Sequence, residues 1–583
     1  MRAVFALLLL LSSLPLQAQT IGDFFDSFTA EWVRGNPSLA TGLRYFEGEE
    51  QDRLDRQITP FTQAYDAERT ALARRGLGQL RGFERAGMTD VQRVSADLLD
   101  WQLQAIVDAE PFSDYSFPLN QFRGANTALP SLLMRIHPLA NERDAENYVA
   151  KLGQVAGRMN QAIAETERIG AKGIIPPRYI LDATIKQMQR FADPSPGQNP
   201  IATTLAQKME AAPAISAEKR AALSRQAETI IAEQVYPAWR KAIALLESQL
   251  PKVAAEKGLS EYEGGAAAYA NRLRYYTTTQ LTAGQIHEIG LKEVARIEGE
   301  MDKLFRQLGR TDGTIAERMA KLEADRMYPE PLSEATRAQV MKDIEAIVRD
   351  SQKRSESLFD KRPKAPLEVQ PTPTFMENNA AANYTPPTAD GSRPGIYQYP
   401  RRRDRMSKVS LRSVTYHEGI PGHHFQIALQ VENTELPRFR QIGAFGGISA
   451  FSEGWGLYAE RLVAEQGWYD DDPEGLLNAL DSQLFRARRL VVDTGLHSKG
   501  WTRQRAVDYG IPVSEVERYV VLPGQACSYM TGQLKIVELR EKTKAALGDK
   551  FSLQEFHNVV LDTGMVPLEL LEQEVDRYIA SKG

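Results

Sequence analysis

The chain has 583 residues, 42% apolar and 25% charged, with a net charge of −5. That composition suits a globular protein too long for one ordinary core, and the scattered Lys and Arg give no basic face for nucleic acid or an anionic membrane. The one cysteine, Cys527, excludes an internal disulfide, and its QACSYM context reads as the first turn of a buried helix rather than as a nucleophile.

In chain order, residues 1–18 read as a signal peptide. Arg2 is a short positive region, residues 3–14 are an apolar stretch too short to span a bilayer, and Leu16-Gln17-Ala18 fits cleavage after Ala18. No cysteine adjoins the cut, which argues against a lipoprotein, and no later apolar run is long enough to cross a membrane. The mature bacterial protein is expected to be exported, periplasmic or secreted, without membrane insertion.

Residues 19–360 carry apolar residues at three- and four-residue spacing over 62–85, 91–109, 143–168, 216–250, 282–309 and 332–359, which predicts an N-terminal helical lobe. Ser216, Thr282 and Ser333 stand at N-cap positions, and Gln285 gives Thr282 the spacing of a capping box. Residues 361–404 are rich in proline, which excludes a long helix. Short extended pieces at 367–370 and 395–399 are expected to pair as a small sheet at a cleft edge. From 405 to 583 a second helical lobe follows, with helices predicted at 405–432, 449–466, 475–497, 502–509, 514–520, 525–547, 552–562 and 567–581.

The second lobe carries the chemistry. TYHEGIPGHHFQ, residues 415–426, holds three of the seven histidines and a glutamate directly after the first. Zinc takes neutral imidazole nitrogens or carboxylates at about 2.0–2.2 Å. Two histidines four apart on a helix meet that demand; His417 and His423, six apart, do not, while His417 and His424 share a face but stand about 10 Å apart in rise. Pro421-Gly422 alters this. If two residues loop out of the turn, His423 returns to the place of a second ligand; His424 is the alternative. The bland reading is a helix end, a turn and a new helix with surface histidines. His287-Glu288, a second such pair without neighbouring histidines, reads as structural.

A third ligand is sought in GISAFSEGWGLYAERL, residues 447–462, where Glu453 lies between Phe451 and Trp455; a charge in such company is rarely unpaired. Glu460, seven residues later on the same face, is the competing ligand, although a salt bridge with Arg461 or Arg486 is the role expected of it. Glu418 is then a general base for water at the metal's open position. His497 (oriented by Asp493), Tyr529, Tyr519 and Gln525 are candidates for stabilising an oxyanion or binding substrate. Arg486, Arg488 and Arg489 are candidates for a substrate carboxylate. Tyr384, the turn holding Arg393, and Tyr397 could form the cleft edge, where an extended peptide adds by main-chain hydrogen bonds.

HEGIPGHH, SEGWGLYAE, DTGLHSKGW and YVVLPGQACSYMTGQLKI, with ANYTPPTADGSRPGIY and QIHEIGLKEVARIEGEM, together resemble the bacterial family known as domain of unknown function 885, over nearly all the mature chain. That family is similar to the gluzincin metallopeptidases. The resemblance implies a mainly α, multi-helix gluzincin-like fold with a central cleft, His417, His423 and Glu453 as ligands of one Zn2+ per chain, and Glu418 as base. The expected function is a zinc-dependent hydrolase of short peptides. Two rivals stand beside it: a metal-dependent hydrolase of a non-peptide amide or ester, and an inactive binding protein with a relic site. The oligomeric state and the cleavage preference stay open.

Overall fold

The computed structural model describes every residue except 1–18, 254, 255, 257, 330, 331, 373–380, 389, 390, 392 and 402–405. The signal-peptide reading lies outside the described residues. The described chain is mainly α-helical, with one three-stranded sheet and no helix long and apolar enough to cross a membrane.

Helices start where the sequence supplies caps. Ser216, Thr282 and Ser333 each accept a hydrogen bond from the N–H three residues on, and Gln285 returns the bond to Thr282. The helix expected over 143–168 is two, Glu142–Leu152 and Val155–Ala171. That over 405–432 is also two, Leu411–Glu418 and His423–Glu432. Helices Ile21–Arg34, Arg178–Ala192 and Gly265–Thr277 were not anticipated. The last is built of Ala, Tyr and Arg with no continuous aliphatic stripe, so its periodicity is weak.

The helices that build the site are labelled in chain order: α1 Ala283–Gln307, α2 Leu411–Glu418, α3 His423–Glu432, α4 Ser449–Glu465, α5 Pro473–Ser498, α6 Val513–Val521 and α7 Ser528–Leu547. The strands are β1 Leu367–Pro371, β2 Asn383–Thr385 and β3 Gly395–Tyr399. β3 is central, parallel to β1 and antiparallel to β2.

The proline-rich segment separates elements in sequence, but the main core crosses it. Phe25 of the first helix packs on Phe439 at 5.4 Å, and Phe28 stacks on Phe445 at 5.8 Å, in the same cluster as Trp455 and Phe556. A separate core runs from Leu119 to Leu246. A single boundary at 361–404 therefore does not describe the packing: the first helices belong with the last ones. α4 crosses α7 at two glycines, where a Cβ on Gly454 would lie 2.6 Å from the Gly532 backbone. This close approach brings the N-terminal turn of α7, with Tyr529, beside the turn of α4 that carries Glu453.

Candidate metal centre

α2 ends at Glu418 because the next four residues, Gly419-Ile420-Pro421-Gly422, cannot continue it. Pro421 has no N–H to donate, and its bond to Ile420 is cis. A Cβ at Gly422 would fall 2.0 Å from the His417 carbonyl oxygen and 2.3 Å from that of Tyr416, so the loop closes only with glycine there. Trp455 of α4 donates its indole N–H to the Pro421 carbonyl at 2.9 Å and fixes the loop to α4. The four residues thus turn the chain back, and α3 opens with His423 facing His417. Their rings meet edge to face at 4.7 Å.

Glu453 completes the group. Its Oε2 lies 3.5 Å from His417 Nε2 and 3.6 Å from His423 Nε2, and the three ligand atoms lie within 4.8 Å of one another. These separations are longer than a hydrogen bond. The two Glu453 distances are close to the edge of a tetrahedron of zinc ligands, about 3.3–3.4 Å for bonds of about 2.0–2.1 Å. The donor set, two imidazoles and a carboxylate with the Glu453 side chain 24% exposed, therefore fits a divalent ion with one side open.

Behind His417 stands Glu460. Its Oε1 lies 2.8 Å from His417 Nδ1, its side chain is 1% exposed, and its Oε2 accepts from the Ser482 hydroxyl of α5 at 2.9 Å. The expected pairing of Glu460 with Arg461 or Arg486 does not form; Arg461 pairs with Glu465 instead. Such a carboxylate fixes the tautomer of a metal-binding imidazole and raises its basicity. Burial works to lower the His417 pKa, but Glu453 and Glu460 reverse this and push it up to about 10. Burial works to raise the Glu453 and Glu460 carboxyls, and their histidine partners hold both down. Two carboxylates around one imidazole call for a cation, which a proton or a metal can supply.

Gly456, one turn after Glu453, leaves the space that the His417 ring occupies; a Cβ there would meet the ring at 2.6 Å. Glu418 is partly exposed and makes no hydrogen bond among the described residues. Burial pushes its carboxyl up, His423, His417 and Arg486 pull it down, and Glu453 adds to the rise. Arg486 bonds to the Ser482 carbonyl and hydroxyl of its own helix, with its charge toward Glu418 and Glu460.

The structure separates the two adjacent histidines. His424 Nδ1 lies 3.0 Å from the Tyr384 hydroxyl, and its ring also bonds the Ala365 backbone. Burial lowers its pKa to about 4. His424 is therefore not the alternative ligand: it ties α3 to the sheet, and Tyr384 is its partner. Tyr397, expected at the cleft edge, is fully buried, with its hydroxyl 3.5 Å from Thr415 on α2. It supports the helix that carries His417. Arg393 sits in the turn before β3, where its N–H donates to the Thr388 hydroxyl. Half of the turn lies outside the described residues.

His497 is a correction. It is 15 residues beyond Ser482 on α5, about 22 Å along the axis. Its Nδ1 accepts from the Leu259 N–H at 3.0 Å, and its Nε2 lies 3.0 Å from the Tyr519 carbonyl. Asp493, expected to orient it, instead accepts from the Tyr269 hydroxyl at 2.6 Å and the Gly524 N–H at 3.0 Å. Both are structural. So is His287, whose Nδ1 lies 2.8 Å from the Thr494 hydroxyl where α1 packs on α5. Cys527 is fully buried at the start of α7.

Tyr529 is partly exposed and close enough for the Glu453 charge to raise its pKa after burial, while Arg489 and Arg518 oppose the rise. Tyr519 is fully buried, accepting from Arg489 Nε at 3.0 Å and donating to Glu515 at 3.0 Å. Gln525 accepts from Arg518 at 2.6 Å. Sequence reasoning missed Ser482, Glu515 and Arg518. The spacing of Glu460, two turns after Glu453, was the available signal for its place behind the ligands.

Residues 37–575 match the family described as "Bacterial protein of unknown function (DUF885)". No curated protein matches the chain. Among solved structures, "The crystal structure of the putative lipoprotein from Colwellia psychrerythraea" is 30% identical, with a TM-score of 0.88, covering 97% of this chain and 100% of that one. A structure described as "a putative lipoprotein of unknown function from Shewanella oneidensis" is 19% identical, with a TM-score of 0.72, covering 95% of this chain and 99% of that one, and shows the shared fold.

Proposed function

The chain belongs to the DUF885 family of bacterial proteins, and we propose that it is an exported zinc-dependent hydrolase of short peptides, with a site organised like that of the gluzincin metallopeptidases. The observation that carries the reading is the convergence of His417, His423 and Glu453, with the Glu453 carboxylate 3.5 Å and 3.6 Å from the two imidazoles, near the spacing of tetrahedral zinc ligands. Export is supported by the leader-like first 18 residues and by the 30% identical structure described as a "putative lipoprotein".

His417, His423 and Glu453 would hold the ion. When bound, it supplies a Lewis acid that lowers the pKa of water and polarises a carbonyl. Glu418, adjacent to the first histidine, takes a proton from the attacking water and passes it to the leaving nitrogen. Water adds to the carbonyl carbon, the C–N bond breaks, and the products are a carboxylate and an amine. Tyr529, which feels the Glu453 charge, is the residue assigned to donate its hydroxyl to oxygen that gains charge. Glu460 keeps His417 in the tautomer that presents Nε2.

The test is metal content of the mature protein beside hydrolysis of a panel of short peptides, for wild type and Glu418→Gln. About one zinc per chain in both, with turnover in wild type only, supports the reading. A protein that neither retains nor takes up zinc overturns it. Metal-loaded wild type that hydrolyses no peptide but does hydrolyse other amides or esters moves the substrate class. Unchanged biological activity in Glu418→Gln would indicate a binding protein.

A further inference from the structure

Beside Tyr529 lies a second cluster that the hydrolytic reading does not use. Arg489 of α5 is 7% exposed and Arg518 of α6 is 9% exposed. Both lean on one carboxylate, Glu515, which accepts from Arg489 at 2.9 Å and from Arg518 at 2.8 Å and 3.1 Å. Tyr519 takes the Arg489 Nε–H, and Gln525 takes an Arg518 N–H at 2.6 Å. The cluster thus buries two guanidinium charges that share Glu515, with the buried Asp493 carboxyl also near Arg518. One terminal nitrogen of Arg489, Nη1, is buried and has no hydrogen-bond partner among the described residues.

Burying a cation with an idle donor is costly unless an acceptor meets it. The Arg489 guanidinium lies over the Tyr529 ring at 4.4 Å, on the side of the site where Tyr529 feels Glu453. Along α5, Arg489 is seven residues beyond Ser482, the partner of Glu460, or about 10 Å. An extended peptide spans at most about 3.3–3.6 Å per residue. The rise from Ser482 to Arg489 therefore equals about three residues of extended peptide.

We propose that Arg489, backed by Arg518 and held by Tyr519 and Glu515, receives the free C-terminal carboxylate of a peptide, so that the site removes short fragments from C-terminal ends. This rests on the hydrolase reading above. A guanidinium with a free N–H is suited to a carboxylate by geometry and charge. Its neighbours preset it: Tyr519 and Glu515 fix the plane of Arg489, so little side-chain entropy is lost on binding. Arg488, the adjacent arginine, pairs with Glu298 at 2.9 Å and takes no part.

The experiment compares one peptide series as free acids and as C-terminal amides, on the metal-loaded mature chain. The proteins are wild type, Arg489→Met, Arg489→Lys and the control Arg488→Gln, with folding and zinc content measured for each. The expected result is that wild type prefers the acid by about 10–100-fold in kcat/KM, mainly through KM, as for a charge-assisted hydrogen bond. Arg489→Met should lose the preference, Arg489→Lys should keep part of it, and Arg488→Gln should keep all of it. Equal cleavage of acids and amides by wild type overturns the inference and leaves the hydrolase reading standing; that comparison needs no variant. If neither is cleaved, titration calorimetry with a dipeptide and its amide decides. Acid-selective binding lost in Arg489→Met supports the carboxylate site while overturning peptide hydrolysis; equal or absent binding overturns the site.

Discussion

Nδ1 of His417 lies 2.8 Å from Oε1 of Glu460, and Nε2 of the same ring lies 3.5 Å from Oε2 of Glu453. One imidazole thus joins a fully buried carboxylate to a partly exposed one, and the two carboxylates have different work. Glu453 is placed to bind an ion; Glu460 is placed to orient the ring that binds it.

Glu460→Gln keeps a side chain of the same shape but removes the charge behind His417. Zinc affinity should fall about 10–100-fold, the range for loss of a carboxylate that orients a metal-binding histidine. Competitive chelator titration measures it. His417→Ala, His423→Ala and Glu453→Ala should each lose the ion, and His424→Ala should keep it. Chelation of wild type should lower Tm, because an ion that binds only the folded chain stabilises it by mass action.

Glu418→Gln removes a proton acceptor without touching a ligand. Turnover should fall at least about 10²–10⁴-fold, the usual contribution of a general base, with zinc content unchanged. Tyr529→Phe removes a donor near Glu453. It should lower kcat by about 10²–10³-fold if the hydroxyl meets the developing oxyanion. Stopped assays on the metal-quantified proteins separate both from loss of zinc.

Gly456→Ala sets helix propensity against the site. A mid-helix Gly→Ala change favours the helix by roughly 0.5–1 kcal/mol. The new Cβ would stand 2.6 Å from the His417 ring, which must move. The metal-free Tm should therefore hold or fall only modestly, while zinc affinity drops by an order of magnitude or more. Parallel melting and chelator titration reveal the split.

His497 makes acid stability testable. The Leu259 N–H needs an unprotonated Nδ1, and burial lowers the pKa from 6.5 to about 4. A depressed histidine pKa favours the neutral form in the folded state. Its contribution is present above the unfolded value, near 6.5, and is lost as pH falls from there to about 4. The shift corresponds to about 3 kcal/mol at most. Urea unfolding at pH 7.5, 5.5 and 4.5 should show a steep loss for wild type and a shallower one for His497→Gln. His137, His424 and His557, also lowered to about 4, keep some slope in the variant.

The sequence by itself determined the class of fold, the places where many of the helices begin, the extended pieces at 367–370 and 395–399, and the break at Pro421-Gly422. These are local: caps, apolar periodicity and proline act over a few residues. It also brought His417, Glu418, His423 and Glu453 into one hypothesis, because histidines so close to a glutamate, and a charge among aromatics, stand out from composition. Tertiary structure decided the rest. His423 rather than His424 faces His417 because the loop is pinned by Trp455 and because Tyr384 claims His424. Glu460 sits behind His417, and His497 is carried about 22 Å along α5 from Ser482, through helix crossings that no local pattern encodes. Arg489 is left with an idle donor because two arginines converge on one glutamate from different helices. Which charges end up unmatched depends on packing between segments distant in sequence, and packing is a property of the folded whole.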